Sequence, residues 1–119
     1  MNKKEQEVLA SMTSIKEKYF SDLPGILFEI VFDISIDGIM GRAISGEPLK
    51  IVLHYSDNRV LEPKYRMGLV PLIAHELAHF INPVDPEWVM RERLPVAVME
   101  LWDNLLKEGY AKCSFGVDI

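Results

Sequence analysis

The stretch LIAHELAHFINP, residues 72–83, places two of the chain's three histidines four residues apart, with a glutamate directly after the first. The Asn82-Pro83 pair at its end is typical of a helix terminus. On a helix, residues four apart lie one above the other, so His75 and His79 are predicted to share one face. The stretch therefore predicts a helix that presents two imidazoles on one side.

Two imidazoles with this spacing can converge on one zinc ion, at about 2.0–2.1 Å from each nitrogen. Glu76 points to the same side but is displaced around the helix axis, so it is poorly aimed as a ligand. It can still reach a water bound to the metal. Zinc lowers the pKa of such a water, and a carboxylate can take its proton and deliver it to a leaving amine. We therefore expect a hydrolytic site with one Zn²⁺ ion and with Glu76 as general base.

A catalytic zinc is usually held by three protein ligands and keeps one open position. No histidine follows His79, so a carboxylate is expected to be the third ligand. The residues alone leave several acids open, chiefly Asp85, Glu100 and Glu108. Asp85 has a second interpretation, because an aspartate before Pro86 is a good N-cap for a new helix.

Periodicity divides the rest of the chain into further elements. An amphipathic helix is predicted first, followed by three strands, of which the last two form a hairpin, and then by three helices. The helix that carries His75 begins either at Pro71 or near Tyr65. This order predicts an α+β domain, with helices packed on one face of a small, mostly antiparallel sheet. The first four elements are expected at residues 3–20, 26–34, 39–45 and 49–56.

The bulk composition bounds the function. A chain of 119 residues suits a single domain, here residues 1–119. Its net charge of −5 argues against a nucleic-acid partner, because phosphate binding requires a basic face. The most apolar stretch, residues 23–34, carries Glu29 and Asp33 and is too short for membrane insertion. One cysteine and no signal-peptide pattern at the start lead us to expect a cytoplasmic protein.

HELAH (residues 75–79) and the later KEGYAKC (107–113) together resemble the minimal gluzincins, small zinc peptidases. These are similar to the catalytic domains of membrane-embedded HExxH metallopeptidases. The resemblance covers about residues 39–112. It implies a zincin-like fold, hydrolysis of a peptide or protein substrate, and Glu108 of the pattern E-x-x-A as the third zinc ligand, on a C-terminal glutamate helix. It also implies that an extended peptide binds along strand 39–45 or strand 49–56.

The chain departs from those relatives at Lys112, where the membrane peptidases carry an aspartate. An outer carboxylate of that kind commonly orients a ligating histidine. Asp33, Asp37 and Asp103 are the substitutes that the sequence offers.

Four further residues have candidate roles. Tyr110 could stabilise an oxyanion and His54 could polarise a substrate carbonyl, although a buried ring and an exposed strand histidine explain them as well. Some relatives of this size are latent because a C-terminal segment blocks the cleft. Residues 113–119 could act in this way, with Cys113 and Asp118 as groups that block the zinc.

The sequence thus predicts a zinc metallopeptidase, latent through its tail. One alternative is a zinc-stabilised binding or regulatory module with little turnover. Another is a regulatory peptidase that cleaves a repressor, because such proteins share H-E-x-x-H and a distant E-x-x-A.

Overall fold

The order along the chain is one helix, three strands, three helices and a fourth strand, in a computed structural model that describes residues 2–108 in full and the backbone of residues 111–117. Two short 3-10 helices, Asn58–Leu61 and Pro63–Gly68, precede the second α-helix. The helices are α1 (Lys3–Tyr19), α2 (Leu69–His79), α3 (Pro86–Arg93) and α4 (Val96–Glu108). The strands are β1 (Ile26–Phe32), β2 (Ile39–Ser45), β3 (Leu49–Tyr55) and β4 (Ala111–Val117).

The predicted α+β class is confirmed, but the prediction of a mostly antiparallel sheet is wrong. The strand order is β1-β3-β2-β4, and only the β2–β3 hairpin is antiparallel. β3 inserts between β1 and β2 and so runs parallel to β1, while β4 runs parallel to β2 along its other edge. Hairpin formation is local and can be predicted from sequence, whereas the neighbour of each outer strand is decided by packing.

The C-terminal part of the chain also differs from the prediction. α4 ends at Glu108, and Ala111 is the first residue of β4. The E-x-x-A pattern is therefore not helical throughout, and the segment from residue 113 onward begins inside a strand.

α2 is the centre of the domain, in contact with β2, β4 and all three other α-helices. Every residue from Pro71 to His79 is buried. A helix surrounded in this way must be apolar on all sides, which agrees with its sequence outside the motif. No helix in the described part of the chain has the length and apolar character needed to cross a bilayer.

The sheet presents one face to these helices because side chains alternate along each strand. On β3, Ile51, Leu53 and Tyr55 are buried in the core beneath the helices. On β2, Gly41 lies in register with Leu53 and therefore on this same face. Strand β2 is thus, together with β4, a part of the sheet that faces the histidine-bearing helix.

Candidate metal centre

His75 and His79 lie side by side on α2, with ring centroids 4.7 Å apart and ring planes perpendicular. Both are buried, with 6% and 9% of their surface exposed. Burial, helped by the neighbouring His79, lowers the pKa of His75 to about 4. Burial also lowers the pKa of His79, against the opposing effect of a hydrogen bond to the backbone of Pro83. At neutral pH both rings are therefore uncharged, which is the form that binds metals.

Residues of α3 and α4 hold the His75 ring in place. Its Nδ1 is 3.3 Å from the Sδ of Met90 on α3. Its face stacks on Trp102 of α4, with centroids 4.6 Å apart and planes at 25°. The Trp102 Nε1–H in turn donates to Glu87 at 3.2 Å. Contacts on both the edge and the face of the ring leave His75 little freedom to rotate.

Glu76 is the most unusual group in the domain. Its exposed fraction is 1%, and neither carboxyl oxygen has a hydrogen-bond partner among the described residues. Burial raises the pKa of Glu76 to about 9. A buried polar group without a partner costs free energy, and natural proteins rarely retain one without a functional reason. Together with the two neutral imidazoles, this carboxyl has the chemistry expected beside a cation and a water.

Gly41 of β2 makes room for Glu76. A Cβ atom at this position would lie 2.7 Å from the Cγ and 3.1 Å from the Oε2 of Glu76. Only a residue without a side chain allows the strand to pass this close to α2. A glycine inside a strand often marks a close approach of backbone, so the IMGRAIS stretch contained a signal that our sequence analysis did not use.

Gly41→Ala is expected to destabilise the fold by about 1–3 kcal/mol, because an added methyl in a filled space forces neighbours to move. Urea unfolding of the metal-free protein measures the change. Gly25→Ala is the matched control, since nothing lies within 4 Å of its added methyl. Equal stabilities for the two variants would show that the contact with Glu76 is not tight.

The structure does not bring the predicted third ligand to the histidines. Among residues 2–108, no group of three His, Cys, Asp or Glu side chains is arranged to hold a metal. Glu108 is exposed and lines a cavity with Leu105 and Leu72, the latter near the start of α2. Trp102, which touches His75, is six residues earlier on α4 and on another face of that helix. The ligand role of Glu108 therefore stays a prediction.

Neither alternative acid forms a three-residue metal-binding group with the pair in the described part of the chain. Asp85 caps α3, where its side chain accepts from the Trp88 backbone N–H at 3.2 Å, as its second interpretation predicts. Glu100 is exposed on α4. Of the acids considered as outer partners, Asp33 binds Ser35 and Asp103 lies 3.6 Å from Arg91. The outer partner that the structure shows on His75 is Met90, a residue type that we did not consider.

The interpretation of His54 as a group at the cleft edge is wrong. β3 is paired on both sides and is not an edge strand. His54 also lies on the sheet face opposite the core, with its Nδ1 3.5 Å from an oxygen of Asp33. Tyr110 and Asp118 lie outside the described residues. The backbone of Cys113 pairs with Gly41 in the β2–β4 register, and its side chain lies outside the described part.

A cavity of about 380 Å³ adjoins the histidine helix. Leu72, in its wall, is one helical turn before Glu76, and Ile39 is two residues before Gly41 on β2. Its walls are mainly apolar, and charged side chains of Arg59, Lys64 and Glu108 also contribute to its lining. Its size and lining are those of a site for a small apolar group.

The fold and its centre define a buried pair of neutral imidazoles beside a carboxyl on one helix of an α+β domain. Comparison with models of known families, with curated proteins and with solved structures found no match to this chain. The function is therefore inferred from the chemistry of these residues.

Proposed function

We propose that this protein is a zinc-dependent peptidase of the minimal gluzincin kind, in which His75 and His79 hold the ion and Glu76 is the general base. One observation carries the proposal. Glu76 is buried and has no hydrogen-bond partner among the side chains that the structure describes, on the same helix as two uncharged imidazoles. A bound cation would use the two imidazoles as ligands, and its water would be a hydrogen-bond partner for the carboxyl.

The donor set fits zinc, which favours neutral imidazole nitrogens. The low pKa of His75 means that no proton competes with the metal at neutral pH. His75 and His79 would supply two of the ligands, and the resemblance to the minimal gluzincins implies Glu108 as the third. The ion would supply Lewis acidity toward water and toward the carbonyl of the peptide bond.

The contribution of the chain itself is proton transfer and exclusion of solvent. Once a cation favours its ionised form, the Glu76 carboxylate accepts a proton from water and delivers it to the leaving amine. Burial strengthens this base, because a carboxylate in a poorly solvated site binds a proton more tightly than one in water. Gly41 keeps the strand close above the carboxylate and so limits access of bulk water.

Strand β2 is the proposed place for an extended peptide. β3 is interior to the sheet, so of the two strands considered only β2 borders α2 at an edge, and β4 now occupies that edge. A peptide that replaced β4 would pass Gly41 and Glu76 and could place an apolar side chain in the cavity beside Leu72. The proposed substrate is therefore a peptide with a bulky apolar residue near the cleaved bond.

The same arrangement supports latency. β4 pairs with the whole of β2, from Ile39 opposite Ala111 to Ser45 opposite Val117. Main-chain hydrogen bonds that a substrate needs are therefore already used by the chain's own C-terminal segment. Cys113 pairs with Gly41, the residue that packs on Glu76, so this segment crosses directly beside the proposed site.

Removal of residues 113–119 is expected to raise the rate of peptide hydrolysis by about tenfold or more, because the edge of β2 becomes free to bind substrate. The assay follows cleavage of a denatured protein substrate by the full chain and by the shortened chain, with zinc present. Circular dichroism checks that the shortened chain keeps its helices. Unchanged or lower activity in a folded shortened chain would contradict latency.

Metal analysis tests the proposed ligands. Wild type is expected to bind one zinc ion per chain, and His75→Ala and His79→Ala should each lose it. Glu108→Ala should also lose it, while Glu100→Ala should keep it. Full zinc in Glu108→Ala together with loss in Glu100→Ala would show that the third ligand is misassigned. Absence of zinc from wild type dialysed against the ion would overturn the proposed function.

A zinc-stabilised binding or regulatory module is the second candidate. The observation that favours it is the complete pairing of β2 by β4, which leaves β2 itself no free edge for a substrate strand. Such a module would bind zinc through the same histidines and show no hydrolysis, even after the C-terminal segment is removed.

A further inference from the structure

We propose that Met90 is a positioning residue that fixes the tautomer of His75: its thioether sulfur accepts a hydrogen bond from Nδ1–H and leaves Nε2 as the metal donor. The placement of the proton is argued from this contact and does not depend on a metal. The metal-binding consequence rests on the proposed function.

The chemistry of sulfur decides where the proton is. A thioether carries no hydrogen, so Met90 can only accept. A hydrogen bond across the 3.3 Å between its Sδ and the His75 Nδ1 therefore requires the hydrogen on Nδ1. The neutral imidazole has one N–H, so Nε2 must then carry the lone pair.

Packing enforces this contact. Met90 is completely buried on α3, and Trp102 of α4 covers the face of the same ring. Stacking on Trp102 fixes the plane of the ring, and within that plane only the orientation that turns Nδ1 toward the sulfur makes the N–H···S hydrogen bond. The neighbours shown on the ring from α2, α3 and α4 are His79, Met90 and Trp102, and none of them is charged at neutral pH.

An uncharged partner changes what the histidine does. Metal-ligating histidines usually donate their second N–H to a carboxylate or carbonyl, which orients the ring and raises its basicity. A sulfur is a weaker acceptor, so it orients the ring while adding little basicity. His75 should thus hold the ion in a defined direction but donate less charge, which leaves the ion the stronger Lewis acid.

Nitrogen-15 NMR of the metal-free protein, labelled at histidine, reports which ring nitrogen is protonated. In wild type we expect His75 almost wholly as the Nδ1–H tautomer. Met90→Leu conserves volume, so the fold should survive, and we expect the Nε2–H tautomer to rise to a comparable population. Met12→Leu, at another fully buried methionine, is the control and should leave His75 unchanged.

Zinc affinity, measured by competition with a chromophoric chelator, is the second readout. Met90→Leu should weaken it about tenfold, as losses of outer partners usually do. Met90→Gln, whose amide oxygen can accept from Nδ1–H, should restore both the tautomer and the affinity. A tautomer that is insensitive to Met90→Leu would overturn the positioning role. A tautomer that depends on Met90 in a chain that binds no zinc would support that role and overturn the proposed function instead.

Discussion

Glu76→Gln is expected to lower kcat/KM for peptide hydrolysis by roughly 10²–10⁴-fold, the usual contribution of a general base. The glutamine has the shape of the acid, so it fits the space beneath Gly41, but its amide cannot accept the proton of water. Because Glu76 is not a proposed ligand, zinc content should stay at the wild-type value. The measurements are cleavage of a peptide substrate and metal analysis of the same samples.

Glu92→Gln is the matched control, since this glutamate is exposed on α3 and has no proposed role. It should hydrolyse peptide at the wild-type rate. Hydrolysis at the wild-type rate in Glu76→Gln would show that Glu76 is not the general base and would contradict the proposed mechanism. If neither wild type nor Glu76→Gln hydrolysed peptide, and Glu76→Gln lost binding to a partner, the binding module would be favoured.

The buried Glu76 carboxyl is expected to make the metal-free protein progressively less stable as the pH rises from about 4.5 toward 9. Burial raises the pKa of Glu76 from 4.5 to about 9 in the folded state. Between these values the folded chain keeps a proton that the unfolded chain has released, so rising pH favours unfolding. Each pH unit in that interval costs up to about 1.4 kcal/mol, which sums to several kcal/mol.

His75 has the opposite effect. Its pKa falls from 6.5 to about 4 on folding, so the stability that its burial allows is present above pH 6.5 and is lost as the pH falls toward 4. Between about pH 4.5 and 6.5 the two effects oppose each other, so the stability of the metal-free protein should be greatest in that interval and should fall above about pH 6.5. The prediction for alkaline pH can be tested separately. Above pH 6.5 His75 is neutral in both the folded and the unfolded chain, so of these two groups only Glu76 changes the stability there.

Urea unfolding of wild type and Glu76→Gln at pH 6 and pH 9, both without metal, isolates this effect. The variant should lose much less stability than wild type between the two pH values. Saturating zinc should flatten the wild-type curve too, because a nearby cation favours the ionised carboxyl. If the unfolding free energy changed with pH equally in wild type and variant, the folded protein would already provide partners for the ionised Glu76 carboxylate.

Several elements could be predicted from local sequence because their causes are local. α1 follows from apolar residues at helical spacing and from the capping box of Asn2 and Glu5. The N-cap of α3 follows from Asp85 before Pro86. The histidine helix follows from its spacing and from the proline after it. In each case the decisive contacts join residues within about one helical turn.

The parts that failed all depend on contacts between distant residues. The strand order, the insertion of β3 and the strand nature of residues 111–117 are decided by which edges the helices leave open. Glu108 was selected from the four-residue pattern E-x-x-A, and its ligand role stays a prediction, because its position relative to His75 depends on how α4 crosses α2. No spacing rule reports that crossing, because ridge packing depends on the side chains of both helices.

The amino-acid sequence by itself determined the existence of the site: two imidazoles and a carboxyl on one helix, set by the 3.6-residue period of the α-helix. Only the tertiary structure decided the state of those groups. Met90 and Trp102 orient the His75 ring, and Gly41 allows a strand to pack on Glu76. Burial lowers the pKa values of the two histidines and raises the pKa of Glu76. The reason is physical, since desolvation and close contact arise only when segments far apart in the chain are packed together.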